Sequence, residues 1–284
     1  MSYHYSETKS KLVDVFVDTE IYCEENTKLK DYIKYSKDHT TIYKEDEYPD
    51  ISNRTIITNP IIEVTKNRSF QQAIIEHNTY PDKKIGVLNF ASATKSGGGV
   101  RTGSSAQEES LCRCSTLFYS LNQYKCYKEF YDVNKLLYHP IYHSDIIIYS
   151  PDIYIIKTDE ERYPVRLEEK DWVKVDVLSC SAPNLKSQKR TIEVKVSDKE
   201  LYDIHLKRGK HILHTAAYNN IDILVLGAFG SGVFENDPKV VANAYNKVLE
   251  EYSKYFYKIV FAIYCNSYDT YNYTSYNNII EKKK

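Results

Sequence analysis

The sequence lacks an excess of charge of either sign, and it lacks long apolar runs. It has 38 Lys and Arg against 39 Asp and Glu in 284 residues, a formal net charge of −1. This balance excludes a broad, nonspecific nucleic-acid clamp. No run approaches the roughly 18 apolar residues of a membrane-crossing helix, and the first residues lack the basic and apolar regions of a secretion signal. We expect an intracellular protein, in the cytoplasm or, as an open alternative, in the nucleus. We also expect a monomer that binds neither a membrane nor a stable nucleic-acid partner.

The sequence also lacks cysteines with the spacing of a metal or redox pair. Six cysteines are scattered along the chain, and Cys112 and Cys114 are separated by a single residue, which is not the C-x-x-C spacing of such sites. The eight histidines show no spacing beyond that of helical neighbours. We therefore expect reduced thiols, no metal site and no cofactor.

Short β-branched runs alternate with segments of helical period from about residue 55 onward. This alternation predicts an α/β fold in which a mixed β-sheet is sandwiched between helices. Several of the runs are apolar on both faces, as buried strands are. The predicted strands are Thr55–Thr58, Ile61–Thr65, Ile85–Phe90, Asp145–Tyr149, Val173–Leu178, Ile221–Leu226 and Lys258–Tyr264.

The helices are predicted from apolar spacing and from capping residues. Pro238 suits a first helical position, with Asp237 before it as N-cap. Residues 1–53 are richer in charge, helical around Ser10–Cys23 and irregular from Lys37 to Asn53, and we interpret them as an N-terminal accessory cap. Residues 54–284 form the main domain. Its predicted helices are Ser69–His77, Ala106–Tyr124, Asp198–Tyr218 and Pro238–Tyr255.

Glycine is scarce, which makes its positions informative. Seven of the nine glycines lie in two clusters, each between a predicted strand and a helix. At such points glycine lets the backbone approach a ligand and present N–H donors, and the next helix N-terminus favours negative charge. The two loops together predict a diphosphate site, while the alternative for either loop alone is a turn that needs positive φ. The clusters are Gly97, Gly98, Gly99 and Gly103, and Gly227, Gly230 and Gly232.

Neither glycine loop matches a common nucleotide fingerprint. The first lacks the lysine of a P-loop, which disfavours kinase-like chemistry. The second reads G-x-x-G-x-G, and no acidic residue follows at the offset of a ribose-binding carboxylate, which disfavours a Rossmann dehydrogenase.

Two adjacent carboxylates, Glu108 and Glu109, open the helix that follows the first glycine loop. Like charges side by side and partial burial oppose ionisation, so one of the pair can keep a proton near neutral pH, as a general acid must. For Glu108 a structural alternative is equally open, because Ser105 and Glu108 have the spacing of a capping box. Glu109 has no capping role and is the better candidate for chemistry.

These motifs resemble the signature of bacterial, macrodomain-type poly(ADP-ribose) glycohydrolases. Asn89-Phe90-Ala91, the three glycines and Gln107-Glu108-Glu109 follow the family's GGG-x(6–8)-QEE pattern, and Leu226 to Phe234 resembles its GAxGxGVF diphosphate loop. The resemblance covers about residues 54–265. Two departures are Lys95-Ser96, where the family often has proline, and Ser231, where cysteine is frequent. Ile155–Lys170 and Leu185–Glu200 are family-variable regions that bear on substrate range.

The resemblance implies a macrodomain-like fold and hydrolysis of the ribose–ribose bonds of poly(ADP-ribose), with ADP-ribose as product. It implies that Glu109 is the catalytic acid and base and that Glu108 orients substrate hydroxyls. Two alternatives stay open: a module that binds ADP-ribose without cutting it, and a hydrolase of mono-ADP-ribose on a protein or nucleic-acid acceptor. Tyr264 or Tyr268 is expected to stack on adenine. The implied ADP-ribose-binding residues are Asn89, Gly97, Gly98, Gly99, Gln107, Gly227, Gly230, Ser231, Gly232, Val233 and Phe234.

Overall fold

A seven-stranded mixed sheet forms the centre of the protein. The computed structural model describes residues 2–137, 140–160, 163–186 and 196–281. The strands are β1 (Thr41–Tyr43), β2 (Ile61–Thr65), β3 (Ile85–Phe90), β4 (Ile147–Ile155), β5 (Val173–Cys180), β6 (Ile223–Leu226) and β7 (Lys258–Ala262). Their order in the sheet is β1-β4-β5-β3-β6-β7-β2; β4 pairs antiparallel with β1 and β5, and the remaining neighbours are parallel. The predicted mixed sheet is therefore confirmed.

Helices cover both faces of this sheet. They are α1 (Ser2–Glu25), α2 (Thr27–His39), α3 (Ser69–Thr79), α4 (Gln107–Cys114), α5 (Leu117–Leu121), α6 (Tyr124–Cys126), α7 (Asp132–Leu136), α8 (Asp198–Tyr218), α9 (Pro238–Tyr252) and α10 (Tyr271–Tyr276). Adjacent residues of β3 point to opposite faces, so Val87 packs with α3, α4 and α5, whereas Leu88 packs with α8 and α9. Helix α9 begins as predicted, with Pro238 in its first turn and the Asp237 side chain accepting from Lys239 N at 2.8 Å.

The N-terminal segment is more ordered than the sequence predicts. The irregular stretch expected from Lys37 onward contains the end of α2 and β1, which pairs with β4 and buries Tyr43. The prediction was wrong for residues 37–43, because tertiary pairing overrides the polar composition. Residues 44–53 form no helix or strand, as predicted. The α1 helix packs on α5 through an edge-on contact of Phe16 with Phe118, whose ring centroids are 5.1 Å apart. The division at residues 53 and 54 stays a prediction, although β1 makes part of the N-terminal segment a member of the central sheet.

Three other predicted elements differ in the structure. The strand predicted at Asp145–Tyr149 runs from Ile147 to Ile155. Thr55–Thr58 forms no strand, and Ile56 is 56% exposed because no neighbouring strand covers this segment. The single helix predicted over Ala106–Tyr124 is broken at Ser115, whose backbone is extended and forms an isolated bridge with Ile155. A side-chain pattern of helical period does not reveal such a break. Within the described ranges, no helix is long and apolar enough to cross a membrane.

Candidate active site

The carboxyl ends of β3, β6 and β7 open into a cavity of about 330 Å³. These strands are parallel neighbours, so the loops that follow them meet at one edge of the sheet. Phe90, at the end of β3, lines one part of the cavity. The second glycine loop lines another part through Gly230, Gly232, Val233 and Phe234. The fold therefore brings this loop and the start of α4 to one cleft.

The second glycine loop presents unpaired donors to this cavity. Within the part of the chain that the structure describes, the backbone N–H groups of Gly230, Gly232, Val233 and Phe234 donate no hydrogen bond. Gly230 is buried and Phe234 is half-buried, whereas Gly232 and Val233 are exposed. Successive backbone N–H groups left open in this way are typical of an anion-binding loop. Gly230 has φ 78°, a left-handed conformation that glycine adopts without strain. The loop fits the predicted diphosphate site.

The first glycine loop uses its donors differently. The N–H of Gly99 donates to Glu109 Oε1 at 2.8 Å, and the N–H of Gly98 donates to the carbonyl of Lys95 at 3.0 Å. Gly98 has φ 54°, and a Cβ atom added there would lie 2.5 Å from Glu109 Oε1 and 3.1 Å from Glu108 Oε2. This loop therefore closes around the two carboxylates, and the diphosphate-binding role expected for its glycines stays a prediction.

The two carboxylates are both buried, Glu108 at 2% exposure and Glu109 at 8%. Glu108 Oε2 accepts from the backbone N–H of Ser92 at 2.8 Å, and Glu108 Oε1 lies 3.4 Å from Asn89 Nδ2. The α4 N-cap is Ala106, which makes no side-chain cap. The capping-box alternative for Glu108 was thus wrong, because this side chain turns toward the end of β3 rather than back over its own helix.

Glu108 holds a proton near neutral pH. Burial raises the pKa of Glu108 to about 8. The charge of Glu109 also raises this pKa, whereas the hydrogen bond from Ser92 lowers it. The sequence predicts that one carboxyl of the pair remains protonated.

A protonated Glu108 makes the stability of the fold pH-dependent. The folded protein holds this proton until about pH 8, whereas the unfolded chain releases it near 4.5. Between these values the folded state binds more protons, so the free energy of unfolding falls as the pH rises, by up to about 5 kcal/mol. Urea unfolding at pH 5, 6.5 and 8 should show this fall in wild type and much less of it in Glu108→Gln. The control Glu129→Gln, which changes an exposed carboxyl, should show the same fall as wild type. If the free energy of unfolding changed with pH equally in all three proteins, the assignment of a buried proton to Glu108 would be refuted.

The structure divides the predicted site residues into two groups that meet at the end of β3. Gln107, Gly230, Gly232, Val233 and Phe234 line the cavity. Asn89, Gly97, Gly98 and Gly99 lie with Glu108 and Glu109 around the first loop. Gly227 lies under the ring of Phe90, and Ser231 has a buried hydroxyl.

Two of the residues expected to bind ADP-ribose make their hydrogen bonds within the protein. Gln107 Oε1 accepts from Phe90 N at 2.8 Å, and its Nε2 donates to Leu88 O at 2.8 Å. Asn89 is fully buried, and its Nδ2 donates to Ser179 Oγ at 2.9 Å. Both side chains thereby fix the end of β3 against α4. Their direct role toward substrate stays a prediction.

A polar cluster at the cavity was missed from the sequence. Arg68 Nε donates to Asp159 Oδ1 at 2.9 Å, Arg68 Nη2 donates to Ser110 Oγ at 2.8 Å, and all three residues line the cavity. Asp159 lies in the predicted variable region, and Arg68 precedes α3. No local pattern connects residues so far apart in sequence. Of the two variable regions, residues 161–162 and 187–195 lie outside the described residues.

The structure also distinguishes the two tyrosines considered for adenine. Tyr264 lines the cavity, with the guanidinium of Arg68 5.2 Å from its ring centroid. Tyr268 is 97% exposed and does not line it. Of the two, Tyr264 is the better placed to stack on an adenine ring that enters the cavity.

Comparison with known proteins agrees with this geometry. The family model described as "Microbial-type PARG, catalytic domain", where PARG is poly(ADP-ribose) glycohydrolase, matches residues 10–158, just over half of the chain. The chain belongs to this family. The family predicted from the motifs and the predicted enzyme class, a glycoside hydrolase, are confirmed for this microbial-type PARG. No curated protein matches the chain.

Solved structures of bacterial PARGs are similar over nearly the whole chain. The enzyme from Thermomonospora curvata has a TM-score of 0.80 and 25% identity, covering 95% of this chain and 99% of its own. Its complex with the inhibitor ADP-HPD has a TM-score of 0.78 and 26% identity, covering 94% and 98%. A point mutant of the enzyme from Deinococcus radiodurans, solved in complex with ADP-ribose, has a TM-score of 0.78 and 27% identity, covering 89% and 98%. The predicted macrodomain-like fold is thus confirmed.

Proposed function

We propose that this PARG hydrolyses the ribose–ribose O-glycosidic bonds of poly(ADP-ribose) and releases ADP-ribose. The observation that carries the proposal is that an anion-binding loop and a buried carboxylate pair lie close together. The short segment from Phe90 to Ser92 connects them. Phe90 lines the cavity beside the second loop, and the Ser92 N–H binds Glu108. Neither carboxylate lines the cavity itself, although Gln107 and Ser110 on either side of the pair do; we propose that a diphosphate on the loop places the attached ribose against the carboxylates. Family membership supports the substrate class.

We assign the chemistry to Glu109. Glu109 takes over the proton that Glu108 holds near neutral pH and donates it to the departing 2′-oxygen while the bond from this oxygen to the anomeric carbon breaks. Water then adds to the oxocarbenium-like carbon, and the Glu109 carboxylate accepts its proton. One water is consumed, and the carboxyl is restored.

The neighbouring residues support this cycle in different ways. The Gly99 N–H holds Glu109 Oε1 in place. Glu108 lies beside Glu109 and keeps a proton near neutral pH, so the pair avoids two adjacent charges. Phe234 lines the cavity and limits the access of bulk water to the reacting centre. The cycle as we propose it requires no metal or cofactor.

The proposal extends to location and assembly. We propose that the protein is a monomer inside the cell, in the cytoplasm or the nucleus, and that it has no stable nucleic-acid partner. The near-zero net charge supports the absence of a stable nucleic-acid partner, because the polyanionic substrate is met by local backbone donors and not by a basic surface.

Turnover on two substrates tests the function. Wild type should release ADP-ribose from labelled polymer much faster than from a singly ADP-ribosylated acceptor. Preferential release from the singly modified acceptor would favour the mono-ADP-ribosyl hydrolase alternative. Tight ADP-ribose binding without release from either substrate would favour the binding module.

We further propose that Tyr264 stacks on the adenine of the bound ADP-ribose. Stacking of a base on an aromatic ring contributes about 1–3 kcal/mol, so Tyr264→Ala should weaken ADP-ribose binding about tenfold or more by calorimetry. Tyr268→Ala tests the alternative that Tyr268 stacks on adenine, and this variant should bind ADP-ribose like wild type. Tyr124→Ala, which removes an exposed ring that does not line the cavity, is the control. Normal binding by Tyr264→Ala would remove this residue from the adenine site.

A further inference from the structure

The second glycine loop is held by the side chain of one residue that follows it, Asn236. The two N–H groups of Asn236 Nδ2 serve three carbonyls, one N–H being shared: those of Pro183 at 2.8 Å, Gly230 at 3.0 Å and Phe234 at 3.1 Å. Its backbone N–H also donates to Gly230 O at 3.1 Å. Asn236 is 2% exposed. A single buried amide therefore ties both ends of the loop to the segment that follows β5.

His205, on α8, fixes the orientation of this amide. His205 Nε2 lies 2.8 Å from Asn236 Oδ1, and the imidazole is fully buried with its ring edge-on to Phe229 at 5.8 Å between centroids. Since the Asn236 nitrogen is used by three carbonyls, its oxygen must be the acceptor and His205 Nε2 the donor. Burial lowers the pKa of His205 to about 4, so the ring is neutral and carries one N–H. His205 Nδ1 has no hydrogen-bond partner in the described ranges.

This arrangement explains why the loop has free donors. The carbonyl oxygens of Gly230 and Phe234 each accept from the Asn236 side chain and from one backbone N–H, that of Asn236 and that of Leu185 respectively. Both lone pairs of each oxygen are therefore used, and neither oxygen is available to the loop's own N–H groups. Without the side-chain bonds, the carbonyls of the buried Gly230 and the half-buried Phe234 would each lose one partner and would be free to turn toward these donors. The space beside Gly230 is also closed, because an added Cβ there would lie 3.0 Å from the Asn236 amide.

We propose that Asn236, oriented by His205, is a positioning residue for the diphosphate, because it binds the loop's carbonyls and so keeps the loop's N–H groups open to the ligand. The inference rests on the proposed function and deepens it. Asn236 does not line the cavity. Its effect on the substrate is therefore carried by the loop, and it should act on diphosphate affinity rather than on the chemical step.

The decisive variant is Asn236→Asp, which keeps the shape of the side chain but replaces the amide donors with a carboxylate facing three carbonyl oxygens. We expect the Kd for ADP-ribose and the KM for polymer to rise about 30-fold or more, because several hydrogen bonds to the loop are lost. The kcat should stay within about threefold, and the affinity for adenosine, which carries no phosphate, within about twofold. Asn243→Asp is the matched control, since Asn243 is exposed on α9 and, among the described residues, its side chain bonds only to Lys239 O of its own helix.

A pair of His205 variants covers the case in which Asn236→Asp does not fold. His205→Gln retains an N–H donor for Asn236 Oδ1 and should stay within about threefold of wild type in ADP-ribose affinity. His205→Leu removes the donor and should weaken that affinity about tenfold. Equal affinity in these two variants, or wild-type ADP-ribose affinity in a folded Asn236→Asp, would overturn the inference alone. If wild type neither bound ADP-ribose nor released it from polymer, the proposed function itself would fail.

Discussion

Glu109→Gln is expected to lower kcat on poly(ADP-ribose) by about 1,000-fold, since a positioned acid and base contributes about 10²–10⁴-fold to such a reaction. The amide keeps the size of the side chain, and its oxygen can still accept from the Gly99 N–H. What it loses is the exchangeable proton needed by the leaving oxygen and by the incoming water. ADP-ribose affinity should stay within about threefold, because the diphosphate is bound by the second loop.

The measurement is a comparison of kcat on labelled polymer with the calorimetric Kd for ADP-ribose. Exposed Glu129→Gln is the matched control and should match wild type in both. If Glu109→Gln kept more than about a tenth of the wild-type kcat, the assignment of Glu109 would be wrong. A loss of binding equal to the loss of turnover would point to a damaged fold instead of missing chemistry.

Gly98→Ala is the second large expected effect. The new methyl group would lie 2.5 Å from Glu109 Oε1, and the backbone at this position has φ 54°, which strains any residue with a Cβ. We expect the free energy of unfolding to fall by about 2 kcal/mol. We also expect kcat to fall about 100-fold, because a shift of about 1 Å in a catalytic group has costs of that size.

Urea unfolding and polymer turnover measure these two effects. Gly232→Ala is the control for stability, because its added Cβ would meet nothing within 4 Å. It should unfold within about 0.5 kcal/mol of wild type. Full turnover by a folded Gly98→Ala protein would show that the first loop does not determine where Glu109 lies.

The central strands and the site motifs could be predicted because their signals are local. The β3 run Ile85–Phe90 matches the structure residue for residue, since a buried strand is apolar on both faces and its bounds are marked in the sequence. Asp237 and Pro238 likewise marked the start of α9. The carboxylate pair was found by its position after a glycine loop, and its retained proton follows from burial and like charge.

The remaining features depend on contacts between distant residues. β1 is three residues long and is defined by its pairing with β4. The Glu108 side chain is directed by Ser92 and Asn89 and not by its own helix. The difference between the two glycine loops was also hidden: both are glycine-rich and lie between a strand and a helix, but only the structure shows that one binds carboxylates and the other has open donors.

The most direct test of the account is the release of ADP-ribose from poly(ADP-ribose) labelled in every unit, followed in parallel for wild type and Glu109→Ala. The account predicts that wild type converts the polymer to ADP-ribose, whereas Glu109→Ala, at equal concentration and with ADP-ribose binding intact, leaves it essentially whole. Equal release by the two proteins, or no release by a wild type that binds ADP-ribose, would contradict it.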